Sequence, residues 1–179
     1  IDDEVQISLE SAGVEETAEQ LKQLVEQGEV MAQKYWVTVT NPPYMGSRNG
    51  MDAKLYNYVN ENYPNGKADL YSVFIEKCMQ FTASVGFCAM ITQHGWMFLT
   101  SFSDLRTEIL DHDILNLLHL GPRAFDEIGG EVVQSCSFVM RKSDVEQYQA
   151  TYLRLLEGNS EKEKENLFFS SKIKYTISK

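Results

Sequence analysis

Residues 35–44 read YWVTVTNPPY, and this stretch decides how the rest of the chain is interpreted. Its first two residues are aromatic and the next four are β-branched, and both residue types are typical of strands. The strand is predicted to end at Asn41, because Pro42 and Pro43 have no backbone N–H to donate and each fixes its φ at about −65°. A proline also keeps the preceding residue out of the helical region. The sequence therefore predicts a strand over 35–40 that leads into a stiff loop.

The polar groups of this loop suit the activation of an aromatic amine. The exocyclic amine of adenine is a poor nucleophile, because its lone pair is delocalised into the ring. The side-chain oxygen of Asn41 and the backbone carbonyl of Pro42 can each accept one N6 hydrogen, which favours a tetrahedral nitrogen whose lone pair points at an electrophilic methyl group. Tyr44 would stack on a flipped base. A plain surface turn is the alternative, since Asn-Pro and Pro-Pro are common turn dipeptides.

The pattern (D/N/S)PP(Y/F) after a hydrophobic strand resembles the catalytic loop of methyltransferases that use S-adenosylmethionine to methylate amino groups. Asn-Pro-Pro-Tyr is similar to the N6-adenine branch, although methyltransferases of a glutamine side chain share the pattern. The following segments resemble the large adenine-specific DNA methyltransferases of BREX phage-defence systems and of fused type II restriction–modification enzymes. The resemblance covers roughly residues 26–165 and includes 45–51 (MGSRNGM), 67–76 (KADLYSVFIE), 86–92 (GFCAMIT), 101–106 (SFSDLR) and 121–134 (GPRAFDEIGGEVVQ).

This resemblance implies roles for the four loop residues. Asn41 and Pro42 would orient the target amine, and Pro43 would stiffen the loop beside the methyl donor. Tyr44 would stack on the flipped adenine. Asn41 and Pro43 are also expected to border the cofactor, S-adenosylmethionine.

Three apolar residues outside the loop are further candidates by resemblance. Phe125 occupies the position of a second aromatic that packs against the flipped base, and ordinary core packing beside Ile128 is the open alternative. Leu70 and Phe74 match positions that flank the adenine of the cofactor. Helix-spaced apolar residues can equally belong to the core.

The rest of the sequence alternates between helical and strand patterns. The predicted helices cover 16–33, 53–59, 69–84 (with Asp69 as a cap) and a segment from 101 or 103 to 110, while the predicted strands cover 87–92, 114–120 and 132–140. A further strand is expected over 148–156, followed by a charged loop over 157–166, in which residues 161–165 would be solvated. Strand–helix alternation implies an α/β fold with a largely parallel sheet. By resemblance, it is the C-terminal half of a Rossmann-like S-adenosylmethionine-dependent methyltransferase sheet, mostly parallel with an antiparallel last strand.

The resemblance also implies that part of such an enzyme is missing from this chain. The family carries a strand and a Gly-rich turn for the cofactor upstream of the catalytic loop, whereas Gly13 and Gly28 are isolated here. Residues 5–9 alternate in polarity and are expected to form an edge strand. Residues 1–145 are interpreted as the catalytic half and residues 146–179 as an extension toward an absent target-recognition domain. Strand 35–40 would then present an unpaired edge through which the chain could self-associate.

Composition limits the remaining possibilities. The chain has 179 residues, of which 43% are hydrophobic and 23% charged, so it can bury one core. It has no run of about 18 apolar residues and no signal-peptide pattern at its first residues, so no membrane association and a cytoplasmic location are expected. The net charge of −10 argues against strong nucleic-acid affinity of this segment alone.

No metal site is predicted. The cysteines and histidines do not show metal-ligand spacing within one element, and the cysteines are expected to be buried free thiols: Cys78, Cys88, Cys136, His94, His112 and His119.

The sequence thus predicts an incomplete N6-adenine DNA methyltransferase of a restriction–modification or phage-defence system, inactive as an isolated chain. Its partner would be double-stranded DNA with a flipped adenine, bound through the complete protein. The alternatives are an RNA adenine methyltransferase, a protein glutamine methyltransferase and a catalytically inactive interaction scaffold. The recognition sequence, a linked nuclease and the oligomeric state do not follow from the sequence.

Overall fold

The computed structural model describes residues 2–48, 50–126, 133–170 and 175–178. Contacts divide the chain into two compact units, residues 1–34 and residues 35–179. None of the helices in the described ranges is long and apolar enough to span a membrane.

The first unit contains a single helix, α1 (Asp2–Ala32), of 31 residues. The helix predicted over 16–33 is confirmed, and it begins earlier than predicted. The edge strand predicted over residues 5–9 is wrong, because these residues lie within α1. Gly13 alone does not end the helix.

The second unit contains a six-stranded sheet with strand order β1-β2-β4-β3-β5-β6. The strands are β1 (Tyr35–Thr40), β2 (Thr82–Gln93), β3 (Asp113–Gly121), β4 (Ser135–Arg141), β5 (Gln149–Arg154) and β6 (Tyr175–Ser178). The helices are α2 (Ala53–Asn62), α3 (Leu70–Phe81), α4 (Ser103–Leu110) and α5 (Glu161–Ser170), with short 3-10 helices at His94–Met97 and Thr100–Phe102. The α/β prediction is confirmed.

Strand directions agree with the predicted half-sheet. β1 and β2 are parallel, as are β3 and β5, whereas β4 and β6 are antiparallel to their neighbours. β4 is the last strand of the predicted core and lies between β2 and β3. The predicted antiparallel insertion is therefore confirmed.

The main core lies where α3, α4 and the first 3-10 helix pack on the sheet. Its fully buried members include Tyr71, Ile75, Leu105, Phe138 and Met140. A smaller cluster joins α2 to α3 through Val59, Tyr63 and Val73. The three cysteines are buried and free, as predicted.

Helix α3 ends at Phe81, three residues before the predicted end, and β2 begins at Thr82. The Lys142 ammonium, which follows β4, donates to the carbonyls of Met79 and Thr82 at 2.7 and 3.0 Å. These bonds satisfy carbonyls that the end of a helix leaves without intrahelical partners. A side chain 60 residues downstream cannot be inferred from local sequence, so the boundary was misplaced.

The charged loop predicted over 157–166 is wrong, because most of it forms the start of α5. Ser160 Oγ accepts from the Glu163 N–H at 3.2 Å, which is half of the S-x-x-E capping box present in the sequence. Lys164 is buried rather than solvated, and its Nζ donates to the carbonyls of Leu120 and Leu155 at 2.7 and 2.9 Å. The capping box was a usable local signal, whereas the buried lysine depends on tertiary contacts.

Glu76 is a buried carboxyl group on α3, and its Oε1 has no hydrogen-bond partner among the described residues. Burial raises the pKa of Glu76 to about 7; the neighbouring Glu108 carboxylate adds to this, and a backbone hydrogen bond from Gly66 opposes it. A carboxyl group whose pKa is raised in the folded state contributes its full stabilisation at pH values below its ordinary pKa. That contribution is lost as the pH rises through about 7.

We therefore expect Glu76→Gln to remove a pH dependence of stability. The variant should match the unmodified chain near pH 4 and exceed its free energy of unfolding at pH 8 by on the order of 2 kcal/mol. Urea unfolding across this pH range measures the difference, with the exposed Glu61→Gln on α2 as control. Parallel pH profiles for Glu76→Gln and the unmodified chain would contradict the prediction.

Candidate active site

The loop 41–44 leaves the carboxyl end of β1. Because β1 and β2 are parallel, with Thr40 opposite Met90, the segments that follow both strands emerge at the same edge of the sheet. Asn41 and Pro43 are exposed, whereas Pro42 is buried. The loop is therefore buried at Pro42, and the residues on either side of it are exposed.

A cavity of about 930 Å³ lies beside this loop, and Tyr44 forms part of its wall. The wall is completed by residues 45–48 and 67–69, by α2 and by the segment that follows β2. Gln93, the last residue of β2, lines the cavity together with Gly95 and Ser101. A ligand site at the carboxyl edge of parallel strands is the usual arrangement in open α/β sheets.

Tyr44 is half-buried and packs edge-to-face against Tyr71 of α3, with ring centroids 5.9 Å apart and an interplanar angle of 83°. Burial raises the pKa of Tyr44. Burial likewise raises the pKa of Tyr71. Both phenols are therefore neutral at physiological pH, and the Tyr44 ring is held by an aromatic neighbour.

Asp69 links the segment after the Asn-Pro-Pro-Tyr loop to the start of α3. Its Oδ1 accepts from the backbone N–H of Tyr71 at 3.3 Å, which makes Asp69 the predicted cap of the helix. The same oxygen accepts from the N–H of Met45 at 2.9 Å, immediately after Tyr44. Two backbone bonds flank it, from Leu70 N–H to the Met45 carbonyl and from Ser47 N–H to the Ala68 carbonyl, each 3.0 Å. The sequence predicted the cap but not the link to the loop.

The two cofactor candidates on α3 are half-buried and do not line this cavity. Leu70 packs against the small cluster between α2 and α3, whereas Phe74 packs against the main core. Their proposed contact with the cofactor stays a prediction.

Phe125 lies elsewhere in the fold. It lines a separate cavity of about 510 Å³ together with Leu118 and Leu120 of β3 and Lys164 and Phe168 of α5. The structure therefore does not bring Phe125 and Tyr44 to one cavity. Its stacking role stays a prediction, and Ile128, the alternative packing partner, lies outside the described residues.

Two histidines far apart in sequence meet where His94 follows β2 and His119 lies near the end of β3. His94 Nδ1 and His119 Nε2 are 2.8 Å apart, and burial lowers the pKa of both side chains. No spacing rule within one element could have paired them. Within the described ranges, no group of three His, Cys, Asp or Glu residues could hold a metal ion.

Residues 3–125 match the Eco57I restriction-modification methylase family. The chain belongs to this family. Two curated relatives of this Eco57I-family chain are named adenine-specific methyltransferases. It is 44% identical over 152 residues to PglX of Lacticaseibacillus casei (strain Zhang). It is 36% identical over 153 residues to BrxX of Escherichia coli O9:H4 (strain HS). Each alignment covers 85% of the chain, which spans only 13% of the length of either relative.

Solved structures similar to this member of the Eco57I family confirm its fold. A cryo-EM structure of a DrdV–DNA complex matches 87% of the chain and 18% of the DrdV chain, with a TM-score of 0.64 and 17% identity. A protein of Listeria monocytogenes assigned to the class I S-adenosylmethionine-dependent methyltransferases matches 78% of the chain and 42% of its own, with a TM-score of 0.53 and 13% identity. The resemblance drawn from the sequence is confirmed, and the fold is part of a Rossmann-like methyltransferase fold.

Proposed function

We propose that this chain is the catalytic segment of a longer S-adenosylmethionine-dependent N6-adenine DNA methyltransferase of a restriction–modification or phage-defence system. One observation carries the proposal. Tyr44, the last residue of the Asn-Pro-Pro-Tyr loop, forms part of the wall of a large cavity, while Asn41 is exposed where β1 ends and does not line that cavity. The names of the two curated relatives support the same chemistry. The longer protein is called the full-length protein below.

In this proposal the loop residues orient and activate the target amine. The Asn41 side-chain oxygen and the Pro42 carbonyl accept the two N6 hydrogens of a flipped adenine, which turns the nitrogen lone pair out of conjugation. Pro43 keeps the loop rigid, and Tyr44 stacks on the base. The buried Pro42 and the Asp69 contact to Met45 hold these groups in place before the substrate binds.

The four residues assigned to the cofactor form two pairs, one for its adenine ring and one for its methyl-bearing end. Leu70 and Phe74 are one helical turn apart and keep part of their apolar surface accessible, while Asn41 and Pro43 are exposed. Leu70 and Phe74 would border the cofactor's adenine, and the two loop residues would border its methyl-bearing end. Bound S-adenosylmethionine supplies an electrophilic methyl group on a positively charged sulfur.

The remaining expectations also stay proposals. Residues 1–145 would contribute the catalytic part and residues 146–179 an extension toward a further domain, although β5 and β6 continue the same sheet. The full-length protein would act in the cytoplasm. Double-stranded DNA would be its partner, with most of the affinity supplied outside this acidic segment.

The test is methyl incorporation by the full-length protein from labelled S-adenosylmethionine. Duplex DNA, the corresponding RNA and a glutamine-containing peptide are offered separately, and the product is identified by mass spectrometry. N6-methyladenine in DNA alone supports the proposal. Methylation of RNA or of glutamine would favour the corresponding alternative enzyme, and methylation of none of the three would favour the inactive scaffold. A parallel calorimetric titration of the 179-residue chain is expected to show no tight cofactor binding.

Asp69 gives a second prediction for the full-length protein. Asp69→Ala removes the hydrogen bonds to Tyr71 and Met45, so the loop loses its fixed position. We expect kcat to fall by about a hundredfold, since misplacement by about 1 Å has this cost. Stability should fall by about 1 kcal/mol, as for the loss of other helix caps.

Asp52→Ala is the matched control, because Asp52 caps α2 through the Leu55 N–H at 2.8 Å and does not line the cavity. It should lose a similar stability and keep its kcat. Equal kcat values for the two variants would show that Asp69 acts as a cap alone.

The scaffold alternative rests on the exposed edge of the sheet. β1 is an edge strand, and within the described part of the chain it pairs only with β2. Trp36, Val37 and Val39 of this strand are 68%, 58% and 71% exposed. An apolar edge strand with free backbone groups is prone to pair with another chain.

We therefore expect the 179-residue chain to self-associate through β1. Size-exclusion chromatography coupled to light scattering should show a mass that increases with concentration. Val39→Lys, which places a charge on the edge, should shift the chain toward monomer. The control Val145→Lys changes an exposed valine far from β1 in sequence and should have no effect. A clean monomer at every concentration would exclude this mode of association.

A further inference from the structure

We propose that Arg48 and Lys67 form a binding site for a nucleic-acid phosphate in the cavity that Tyr44 lines. This inference rests on the function proposed above and names the part of the substrate that the site would hold. Neither residue belongs to the Asn-Pro-Pro-Tyr loop.

The backbone brings these two cations together. Gly46 and Asp69 form an antiparallel bridge, and Ser47 N–H donates to the Ala68 carbonyl at 3.0 Å. Arg48 and Lys67 are the next residues on the two segments, immediately beyond this last hydrogen bond. Both line the cavity of about 930 Å³. The pairing of the two segments thus brings both residues to the wall of one cavity.

Both side chains are exposed, so an anion in the cavity can interact favourably with each of them. The chain has 26 acidic and 16 basic residues, so acidic partners are plentiful, yet within the described ranges neither Arg48 nor Lys67 makes an ion pair. Asp69 is the one acidic residue among those that line the cavity, and its Oδ1 already accepts from two backbone N–H groups. Within the described ranges, the positive charges of Arg48 and Lys67 at the cavity wall therefore have no ion-pair partner.

The rest of the cavity favours a nucleotide over a free anion. Its volume far exceeds that of one phosphate group, and Tyr44 lines the same space. Tyr56 and Asn60 of α2 add hydrogen-bonding groups to the wall next to the cations. Arginine, lysine, tyrosine and asparagine side chains are common contacts to nucleic-acid phosphates, which position a substrate without reading its sequence. A phosphate next to the flipped adenosine fits these features.

The first test uses the 179-residue chain and three probes: deoxyadenosine monophosphate, deoxyadenosine and inorganic phosphate. Calorimetry should show that the monophosphate binds at least about tenfold more tightly than the nucleoside, as expected for hydrogen bonds to a charged group. It should also bind more tightly than inorganic phosphate, because only the nucleotide reaches Tyr44.

Arg48→Gln/Lys67→Gln should abolish the preference for the monophosphate over the nucleoside. Both side chains are exposed, so the variant is expected to fold. The control Lys22→Gln/Lys54→Gln changes the net charge equally at exposed lysines that do not line the cavity, and it should keep the preference.

Equal binding of monophosphate and nucleoside, absence of monophosphate binding, or a preference retained by the cavity variant would each overturn the proposal. Inorganic phosphate as tight as the monophosphate would overturn the assignment to nucleic acid. A phosphate preference lost in the variant, combined with no methyl transfer by the full-length protein, would refute the methyltransferase proposal and leave this site standing.

The second test measures duplex DNA binding by the full-length protein at several salt concentrations. Loss of two phosphate contacts should reduce the slope of log affinity against log salt by about 2 in the cavity variant. The control should change the slope much less. An unchanged slope in the cavity variant, with DNA binding intact, would contradict the proposed contacts.

Discussion

Asn41→Ala in the full-length protein is expected to lower the rate of adenine methylation by about 10²–10³-fold, the usual cost of removing one precisely aimed group that stabilises charge in a transition state. In the proposed function, the substitution removes the side-chain acceptor for one N6 hydrogen and leaves the Pro42 carbonyl to accept the other. Asn41 is exposed and lies outside the core, so the free energy of unfolding should change by less than about 0.5 kcal/mol. Single-turnover methylation and urea unfolding measure the two effects.

Two further variants separate the acceptor from other roles of Asn41. Asn41→Asp keeps an oxygen acceptor and should retain part of the rate, whereas Asn57→Ala removes an exposed asparagine of α2 that does not line the cavity and should have no effect. A rate for Asn41→Ala equal to that of the unmodified protein would refute the assigned role. A lower rate that accompanies a large loss of stability would do so as well, because the residue would then be structural.

The second large effect is expected at Asp113, where β3 begins. Its side chain is fully buried, and it accepts from Arg141 Nη2 at 2.9 Å, Ser143 Oγ at 2.6 Å and Val145 N–H at 2.9 Å. Burial alone would raise the pKa of Asp113, but the hydrogen bonds from Ser143, Val145 and Arg141 outweigh it and hold the pKa below its ordinary value. One carboxylate thus joins the first residue of β3 to the end of β4 and the turn after it.

Asp113→Asn should lower the free energy of unfolding by about 3 kcal/mol at pH 7, because it removes one member of a buried ion pair. A carboxyl group with a lowered folded-state pKa stabilises the fold above its ordinary pKa, and this contribution is lost as the pH falls through the folded value. The difference between the variant and the unmodified chain should therefore shrink below about pH 4. Guanidinium unfolding at pH 7, 5 and 3 provides the measurement.

Asp111→Asn is the matched control for Asp113, since Asp111 is exposed and only two residues away. It should change stability by less than about 0.5 kcal/mol. A similar loss for both variants would show that charge near the start of β3, and not the buried hydrogen bonds, determines the effect. A pH-independent loss for Asp113→Asn would contradict the lowered pKa.

Local patterns predicted the elements whose ends are marked by prolines or capping residues. β1 was placed correctly at Tyr35–Thr40, because two prolines end it. Asp69 was predicted as a cap, and it accepts from the Tyr71 N–H. The S-x-x-E sequence at Ser160 also marked the start of α5, yet the density of charges there favoured a loop.

Contacts between distant residues explain what the sequence did not predict. Lys142 ends α3 from 60 residues away, and Lys164 is buried by carbonyls of β3 and of the segment after β5. His94, after β2, meets His119, near the end of β3, because both strands pair with β4. Each of these contacts joins a side chain to a backbone carbonyl or to another side chain that is distant in sequence. The strand and helix periodicities of 2 and 3.6 residues therefore do not predict it.

The sequence by itself determined the Asn-Pro-Pro-Tyr loop after β1, the family to which the chain belongs and the α/β class, since these depend on residue types and local spacing. Only the tertiary structure decided that Asp69 ties the loop to α3, that Arg48 and Lys67 share a cavity wall with Tyr44, and that Phe125 lines a different cavity. Hydrogen bonds and cavity walls are formed by groups that chain folding brings within a few ångströms, whatever their separation in sequence. Their partners exist only in the folded chain.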